Sequence, residues 1–428
     1  MKLALVVQRY GADINGGAEL HARYVAERLS HHHQVEVLTT CARDYVTWAN
    51  DLPPGLEDVR GVPVRRFPVS HERNARTFGA RSHHVFQHQH SIQDELAWLD
   101  SEGPTSPALL GHIAASRAVF DFFVFFSYRY YHAYHGIRRV ADRALLVPTA
   151  ERDAAIGLGI FPAIFRGVRA LMFNSLEERS MLQHVAGTTA PGVVVGIGSD
   201  VPNGPQPLRF RQQFGIEGPF VIYVGRIDEN KGCSELFEHF LCYTRATPEP
   251  LDLVLVGNSI LTIPKHPRIR HLGFLSDEQK FDAMAAAEAL IMPSYFESLS
   301  MVALEAWALG KPVLANGRCD VLKGQCIRSN AGLYYESLPE FIEALRAIVS
   351  SPSLTRALGQ NGRSYFRTHY AWPVIERKYL ETLATLAREN GEPRRRIEPL
   401  PGYFTRRRRT LPAAEDVLAR VPTGAVLS

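Results

Sequence analysis

The sequence predicts an α/β protein built from two doubly wound domains that face a central cleft. A chain of 428 residues, 46% of them hydrophobic and 21% charged, can fill two cores. Short apolar runs alternate with helix-like stretches, as in a parallel sheet covered by helices. The alternation occurs in two series, and a Pro/Gly-rich stretch, PNGPQP at 202–207, separates them.

The first series begins with LALVVQRYG (3–11), continues through the helix-like AELHARYVAERL, and reaches the next strand at VEVLTT (35–40). This order is typical of a βαβ unit. Later runs of the same kind are FDFFVFF (120–126), ALLVPT (144–149) and ALMFN (170–174). These runs predict an N-terminal Rossmann-like domain over residues 1–205.

The second series predicts another Rossmann-like domain over residues 206–369. Its strands are expected at FVIYVGR (220–226), LDLVLVG (251–257), IRHLGF (269–274), ALIMPS (289–294) and PVLAN (312–316). Beyond it, a helical segment over residues 370–390 precedes a Pro-broken, Arg-rich tail over residues 391–428.

Composition excludes several classes of protein. The net charge of +4, from 48 basic and 44 acidic residues, does not favour nucleic acid as a partner. Five cysteines without a close CxxC pair favour a reducing cytoplasm over a disulfide framework. The histidine-rich stretches lack a metal-ligand pattern, so a solvated face or an acceptor-side loop is expected and no metal site is predicted. No apolar run reaches the roughly 18 residues of a membrane span.

Ligands of such sheets bind at the carboxyl ends of the strands, so the cleft is the expected site. Gly16 and Gly17 follow the first strand and open a helix, where backbone N–H groups could meet a phosphate; a simple tight turn is equally consistent. Arg226 follows a strand directly, and Lys231 lies at the start of the next helix. Two such cations suit a diphosphate, although an arginine capping its own sheet and a solvated lysine remain the alternative.

The stretch ESLSMVALE carries two carboxylates, Glu297 and Glu305, at opposite ends of a predicted short helix. Eight helical residues rise about 12 Å, roughly the separation of the ribose and the transferred sugar in a nucleotide-sugar. A carboxylate can accept two hydroxyl hydrogen bonds, and free N–H groups around Ser298, Leu299 and Ser300 would face the phosphates. Alternatively, the two glutamates are an ordinary polar helix position and a helix-start residue.

Taken in this order, the motifs resemble those of the retaining GT-B glycosyltransferases of family 4, also called glycosyl transferases group 1. The resemblance covers about residues 1–390. It implies two Rossmann-like domains in the GT-B arrangement, with the helix of residues 370–390 crossing back to the first domain. It also implies a nucleotide-sugar as donor substrate and no essential metal or other cofactor.

The resemblance assigns roles to individual residues. Arg226 and Lys231 would neutralise the leaving diphosphate, Glu305 would bind the ribose hydroxyls, and Glu297 would contact the donor sugar near the reaction centre. The glycine pair after the first strand would let that loop approach the phosphate when the cleft closes. The family retains anomeric configuration by front-face attack, in which the leaving phosphate takes the acceptor proton, so a separate nucleophile is not expected.

One position departs from the family pattern. Glu151 stands after a first-domain strand where family members often carry a histidine. Its carboxylate could still accept a sugar hydroxyl, but it brings negative charge to a cleft that binds anions. Arg152 could offset that charge, and His132 or His135 could take part of the histidine's role.

The resulting prediction is a retaining hexosyltransferase that moves a sugar to a glycan, a lipid-linked or a small-molecule acceptor, in polysaccharide or surface-glycan biosynthesis. A non-catalytic nucleotide-sugar or glycan-binding protein of the same fold is the alternative, which Glu151 keeps open. A GT-B epimerase or phosphorylase is less favoured. The Arg-rich tail is either solvated, in contact with a partner, or a peripheral contact to the inner membrane surface. The expected location is the cytoplasm.

Overall fold

The structure, a computed structural model, describes residues 1–14, 16–389, 397 and 419. Strands of the first domain are β1 (Lys2–Val6), β2 (Gln34–Thr40), β3 (Gly55–Val59), β4 (Val62–Phe67), β5 (Phe122–Phe126), β6 (Ala144–Val147), β7 (Ala170–Phe173) and β8 (Gly192–Val194). Strands of the second domain are β9 (Phe220–Val224), β10 (Asp252–Val256), β11 (Ile269–His271), β12 (Leu290–Met292), β13 (Val313–Asn316) and β14 (Gly332–Tyr335).

Helices lie between the strands in both domains. The first domain has α1 (Gly17–Leu29), α2 (Ala75–Gln87), α3 (Ile92–Glu102), α4 (Pro107–Ala115), α5 (Tyr131–Ile137), α6 (Pro162–Gly167) and α7 (Leu176–Ala186). They are followed by α8 (Pro207–Phe214), α9 (Cys233–Ala246), α10 (Asp277–Ala286), α11 (Met301–Ala308), α12 (Asp320–Ser329), α13 (Leu338–Ser350), α14 (Pro352–His369) and α15 (Trp372–Arg388). None of the described helices is both long and apolar enough to cross a bilayer.

The strand order confirms the predicted two-domain, doubly wound fold. The first sheet runs β3-β4-β2-β1-β5-β6-β7-β8 and the second runs β11-β10-β9-β12-β13-β14. All strand pairs are parallel except β3 with β4, an antiparallel hairpin at one edge of the first sheet. In each sheet the strand order reverses beside the first strand of the domain, where doubly wound folds form their ligand crevice.

The sequence pattern located the buried strands and the edge strand β11, and it missed β3, β4, β8 and β14. Strands β1, β5, β6 and β9 are almost wholly buried, so they read as continuous apolar runs. Strand β3, with the sequence GLEDV, is mostly exposed, and the short β8 and β14 are also partly exposed. Without two-sided burial these strands carry little apolar signal.

Helix α15 packs against α1 of the first domain. The Oη atom of Tyr379 lies 3.0 Å from Nε2 of His21, and the ring of Trp372 meets that of Tyr24 edge-on. A Cβ atom at Gly198 would lie only 2.6 Å from the Trp372 indole, so the glycine makes room for the crossing helix. The arginines of the predicted tail, at 394–396 and 406–409, lie outside the described residues.

Candidate functional site

The loops at the carboxyl ends of the strands of both domains meet in the cleft. Nδ2 of Asn174, just after β7, lies 3.4 Å from Oγ of Ser298 in the loop after β12. Arg152, after β6, forms an ion pair of 2.7 Å with Asp320 at the start of α12. These contacts bring the predicted site residues of the two domains into one region, as expected for parallel sheets whose carboxyl ends face each other.

At the centre of the site, Lys231 and Glu297 form an ion pair. The Nζ atom of Lys231 donates to Oε1 of Glu297 at 2.8 Å, and their side chains are only 29% and 12% exposed. Burial acts to lower the pKa of Lys231, but the carboxylates of Glu297 and Glu151 outweigh it and raise the pKa above its ordinary value. Lys231 is therefore a fixed positive charge between two carboxylates.

Asp228 organises the turn that presents the two predicted cations. Its buried carboxylate accepts the backbone N–H of Lys231 at 2.8 Å and pairs with the side chain of Arg226. The turn ends at Gly232, which has a φ of 70° and whose Cβ, if present, would lie 2.2 Å from the carbonyl oxygen of Pro293. Sequence analysis overlooked Asp228, although Asp is one of the residues that commonly bond to nearby backbone N–H groups in turns.

The predicted common helix for the two glutamates is wrong. Helix α11 begins at Met301, so Glu297 lies in the loop and only Glu305 is helical. Ser300 has a φ of 71°, outside the helical region, and its Oγ accepts the backbone N–H of Ala303 at 3.4 Å. A left-handed residue that also caps the helix forces the helix to begin after it, so the helical rise does not give the separation of the carboxylates.

Glu305 is buried and has one unsatisfied oxygen. Its Oε1 atom accepts from Oγ of Ser199 at 3.1 Å and lies 3.2 Å from Nζ of Lys280. Its Oε2 atom is buried without a hydrogen-bond partner. Because a buried carboxylate oxygen without a donor is costly, this atom suits a ligand hydroxyl. Leu299, by contrast, is buried in the apolar core, so only its backbone can serve a ligand.

Glu151 faces the Lys231–Glu297 pair from the first domain. Burial raises its pKa to about 7; the charge of Lys231 opposes this and that of Glu297 adds to it. Arg152 was predicted to offset the charge of Glu151, but its side chain pairs with Asp320 instead. Lys231 supplies the positive charge near Glu151 that the sequence analysis expected from Arg152, because loops that follow strands of the two domains converge at the cleft.

Neither histidine makes a described contact with the Lys231 region. His132 is fully buried in α5, and burial lowers its pKa to about 3, so its ring is neutral. His135 is partly exposed, and its Nε2 lies 3.7 Å from Oδ1 of Asp100. The geometry therefore does not support the prediction that either residue replaces the histidine that family members often carry at the position of Glu151.

Gly16 and Gly17 differ in the space around them: Gly16 is closely packed and Gly17 is open. A Cβ atom at Gly16 would lie 2.3 Å from Oε2 of Glu19, whose carboxylate is in a buried ion pair with Arg9. Gly17, the first residue of α1, has open space around it. Gly16 is thus required by local packing, and Gly17 is the one that leaves room for a ligand at the helix N-terminus.

An open pocket, of about 420 Å³ with the solvent at its mouth included, lies beside Glu297 in the cleft. It is lined by residues of both domains: Ala150, Arg152, Glu177, Glu178, Met181, Tyr295, Phe296, Glu297, Arg318, Cys319, Asp320 and Val321. Of these, the buried Glu178 was also missed by sequence analysis, because an acidic residue in the first turn of a helix is common. Within the described residues, no group of three or more His, Cys, Asp or Glu side chains is arranged to hold a metal ion.

Comparisons with known proteins agree with this architecture. Residues 207–365 match the family described as Glycosyl transferases group 1. A phosphatidyl-myo-inositol mannosyltransferase of Propionibacterium freudenreichii is 27% identical over 219 residues, 50% of this chain; the chain thus spans about half of that relative, 56% of its length. A D-inositol 3-phosphate glycosyltransferase of Streptomyces scabiei is 25% identical over 337 residues, covering 70% of this chain and 71% of the relative.

Among solved structures, Anabaena HepE in complex with UDP-glucose is similar in fold, with a TM-score of 0.66 and 17% identity. The match covers 90% of this chain and 100% of HepE. The similarity therefore extends across both domains, whereas the family match lies in the second. The resemblance found in the motifs is confirmed: the chain has the GT-B fold, and its residues 207–365 match glycosyl transferases group 1.

Proposed function

We propose that this chain is a retaining glycosyltransferase that moves a hexosyl group from a nucleotide-sugar to a glycan, lipid-linked or small-molecule acceptor. The observation that carries the proposal is the fixed charge of Lys231, held by Glu297 at 2.8 Å and facing Glu151 across the cleft. The complex of HepE with UDP-glucose, a protein of the same fold, supports a nucleotide-sugar as donor.

The second domain supplies the groups that would bind the donor. Arg226, whose side chain is 55% exposed, can turn from Asp228 towards a diphosphate, and Lys231 adds a second charge. The unsatisfied Oε2 atom of Glu305 would accept a ribose hydroxyl. Ser298 and Ser300 border the loop whose backbone N–H groups precede α11, a favourable place for phosphate oxygens.

The chemical step needs little from the protein beyond charge and position. The bond between the anomeric carbon and the phosphate oxygen breaks, and the acceptor oxygen bonds to that carbon on the same face. The acceptor proton passes to the leaving phosphate oxygen. Arg226 and Lys231 stabilise the charge that develops on the diphosphate. Glu297 is tied to Lys231, which suits a residue that orients sugar hydroxyls more than a nucleophile.

The test is release of nucleoside diphosphate from UDP-, GDP-, ADP- and TDP-sugars by the purified chain. Selective release from one donor that falls by about tenfold or more in Glu297→Ala and Arg226→Ala would support the proposal. Arg346→Ala is the matched control, because Arg346 pairs with Glu343 on the exposed face of α13. Release that persists unchanged in both site variants would contradict it.

A non-catalytic nucleotide-sugar binder is the second candidate, and Glu151 is the observation that favours it. A carboxylate opposite Lys231 adds negative charge where the transition state develops its own. This candidate predicts that nucleoside diphosphates bind in calorimetry, that binding is lost in Arg226→Ala, and that no donor is turned over with any acceptor. Lack of binding by any nucleotide would contradict both candidates.

A further inference from the structure

Glu178 joins two loops of the first domain from beneath the cleft. Its side chain is 1% exposed and lies in the first turn of α7. Oε1 accepts the backbone N–H of Ala150 at 2.6 Å, and Oε2 accepts the backbone N–H of Asn174 at 2.5 Å. One carboxylate therefore links the loop after β6 to the residue that follows β7.

Both loops present a polar side chain to the second domain. Ala150 precedes Glu151, whose charge acts on Lys231, and the Asn174 side chain lies 3.4 Å from Ser298. We propose that Glu178 is a positioning residue for sugar transfer, which fixes Glu151 and Asn174 against the donor loop of the second domain. The inference rests on the proposed glycosyltransferase function and adds a residue to its machinery.

The pattern goes beyond ordinary helix capping. In a capping box, the acidic residue at the third helical position reaches back to the start of its own helix. Ser175 does cap α7 by accepting the N–H of Glu178 at 3.1 Å, but the Glu178 carboxylate extends to Ala150, 28 positions earlier in the chain. Helix formation alone does not require that second contact.

Glu178 and Glu151 also influence each other electrostatically. Burial raises the pKa of Glu178 to about 8; the N–H groups of Asn174 and Ala150 oppose this, and the charge of Glu151 adds to it. The charged groups that face Glu151 come from several elements and are Lys231, Glu297, Asp153 and Arg129. Two carboxyl groups thus titrate near neutral pH on one side of the cleft.

The first experiment compares Glu178→Gln with wild type. The two N–H groups bond to different oxygens of Glu178, and the NH2 group that replaces one oxygen in glutamine cannot accept, so the loops lose one anchor. We expect kcat to fall by about tenfold or more while the Kd for nucleoside diphosphate stays within about twofold. Glu95→Gln is the matched control: Glu95 is also buried and accepts a backbone N–H, from Ile160 at 2.9 Å. It should keep its activity.

The second experiment tests whether Glu178 acts through Glu151. The double variant Glu151→Gln/Glu178→Gln should be no less active than the worse single variant, because residues that act as a unit are non-additive. The pH profile of kcat should lose one of its two ionisations near pH 7 and 8 in Glu178→Gln. Multiplicative losses, or an unchanged profile, would overturn the inference.

A third measurement separates this inference from the proposed function. If wild type turns over no donor, the proposed function fails, and the titration of the carboxyl groups is followed by infrared or NMR spectroscopy instead. The titration of Glu151 should then shift in Glu178→Gln and not in Glu95→Gln. A Glu151 titration that is the same in both variants would overturn the positioning role on its own.

Discussion

The two walls of the cleft are built in different ways. In the second domain, Arg226, Asp228 and Lys231 lie in one turn, where Asp228 pairs with the Arg226 side chain and accepts the backbone N–H of Lys231. In the first domain, Glu151 is positioned through Glu178, whose contact with Ala150 spans 28 positions of the chain. Contacts made within one turn can be predicted from the sequence, whereas contacts between residues far apart in the chain cannot. The difference also predicts that changes in the second wall reduce donor binding and those in the first reduce turnover.

The largest expected effect is on binding, in Lys231→Ala. The variant removes a charge that we assign to diphosphate binding and leaves Glu297 and Glu151 facing each other without that cation. We expect the Kd for nucleoside diphosphate to rise by about 100-fold in calorimetry. Lys323→Ala, which removes an exposed partner of Glu336, serves as control. If Lys231→Ala keeps its affinity and loses only turnover, then the assignment of donor binding to the second domain and of turnover to the first is wrong.

The next largest effect is expected in Glu305→Ala, which tests a second donor-binding group of the second domain. Loss of the unsatisfied Oε2 atom removes the acceptor assigned to the ribose. Affinity for nucleoside diphosphate should fall by about 30-fold, a typical value for a hydrogen bond to a charged group. Affinity for inorganic pyrophosphate, which has no ribose, should not change. An equal loss for both ligands would show that Glu305 acts on the phosphates or on the fold.

A change in the first domain should lower turnover and leave nucleoside diphosphate affinity unchanged or higher. Glu151→Gln removes a carboxylate next to Lys231 without removing volume. We expect kcat to fall by about tenfold, with nucleoside diphosphate affinity equal to wild type or up to about threefold higher, since like charge near the diphosphate is removed. Steady-state kinetics and calorimetry on the same preparation would check this. Weaker binding would contradict the assignment of Glu151 to the catalytic step.

The same variant should change stability with pH. The pKa of Glu151 rises from 4.5 to about 7 on folding, so between these values the folded protein holds a proton that the unfolded chain has released. Stability therefore falls as pH rises through this window, and Glu151→Gln removes the penalty. At pH 8 the variant should be more stable by about 2 kcal/mol, with partial exposure reducing the full effect, and equal to wild type near pH 4. Urea unfolding at both pH values measures this; a variant that is not more stable at pH 8 would contradict it.

The smallest effect concerns the loop before α11. Ser300→Gly relieves a left-handed backbone at a φ of 71° and loses the cap on Ala303, so the two changes should nearly cancel. Ser300→Ala loses the cap and keeps the strain, and should be less stable than Ser300→Gly by about 1 kcal/mol in urea unfolding. Equal stability of the two variants would show that neither the backbone conformation nor the cap sets the start of α11.

Several particular residues show where prediction from sequence succeeded and where it failed. The turn containing Arg226 and Lys231 could be assigned to the cleft because it follows a buried strand whose apolar run is easily recognised. The common helix for Glu297 and Glu305 was wrong because apolar periodicity does not reveal a single left-handed residue at Ser300. Arg152 was assigned to Glu151 as its chain neighbour, whereas its partner is Asp320 in the other domain.

Two series of buried strands and the turns that follow them could be predicted from the sequence, because burial on both faces and turn chemistry act within a few residues. The contacts between groups distant in the chain depend on the tertiary fold: Lys231 with Glu297 and Glu151, and the Glu178 carboxylate with the backbone N–H of Ala150. Such pairs depend on how loops from different strands converge at the sheet edge, and their electrostatics on burial. Both properties arise from contacts between residues that are distant in the chain.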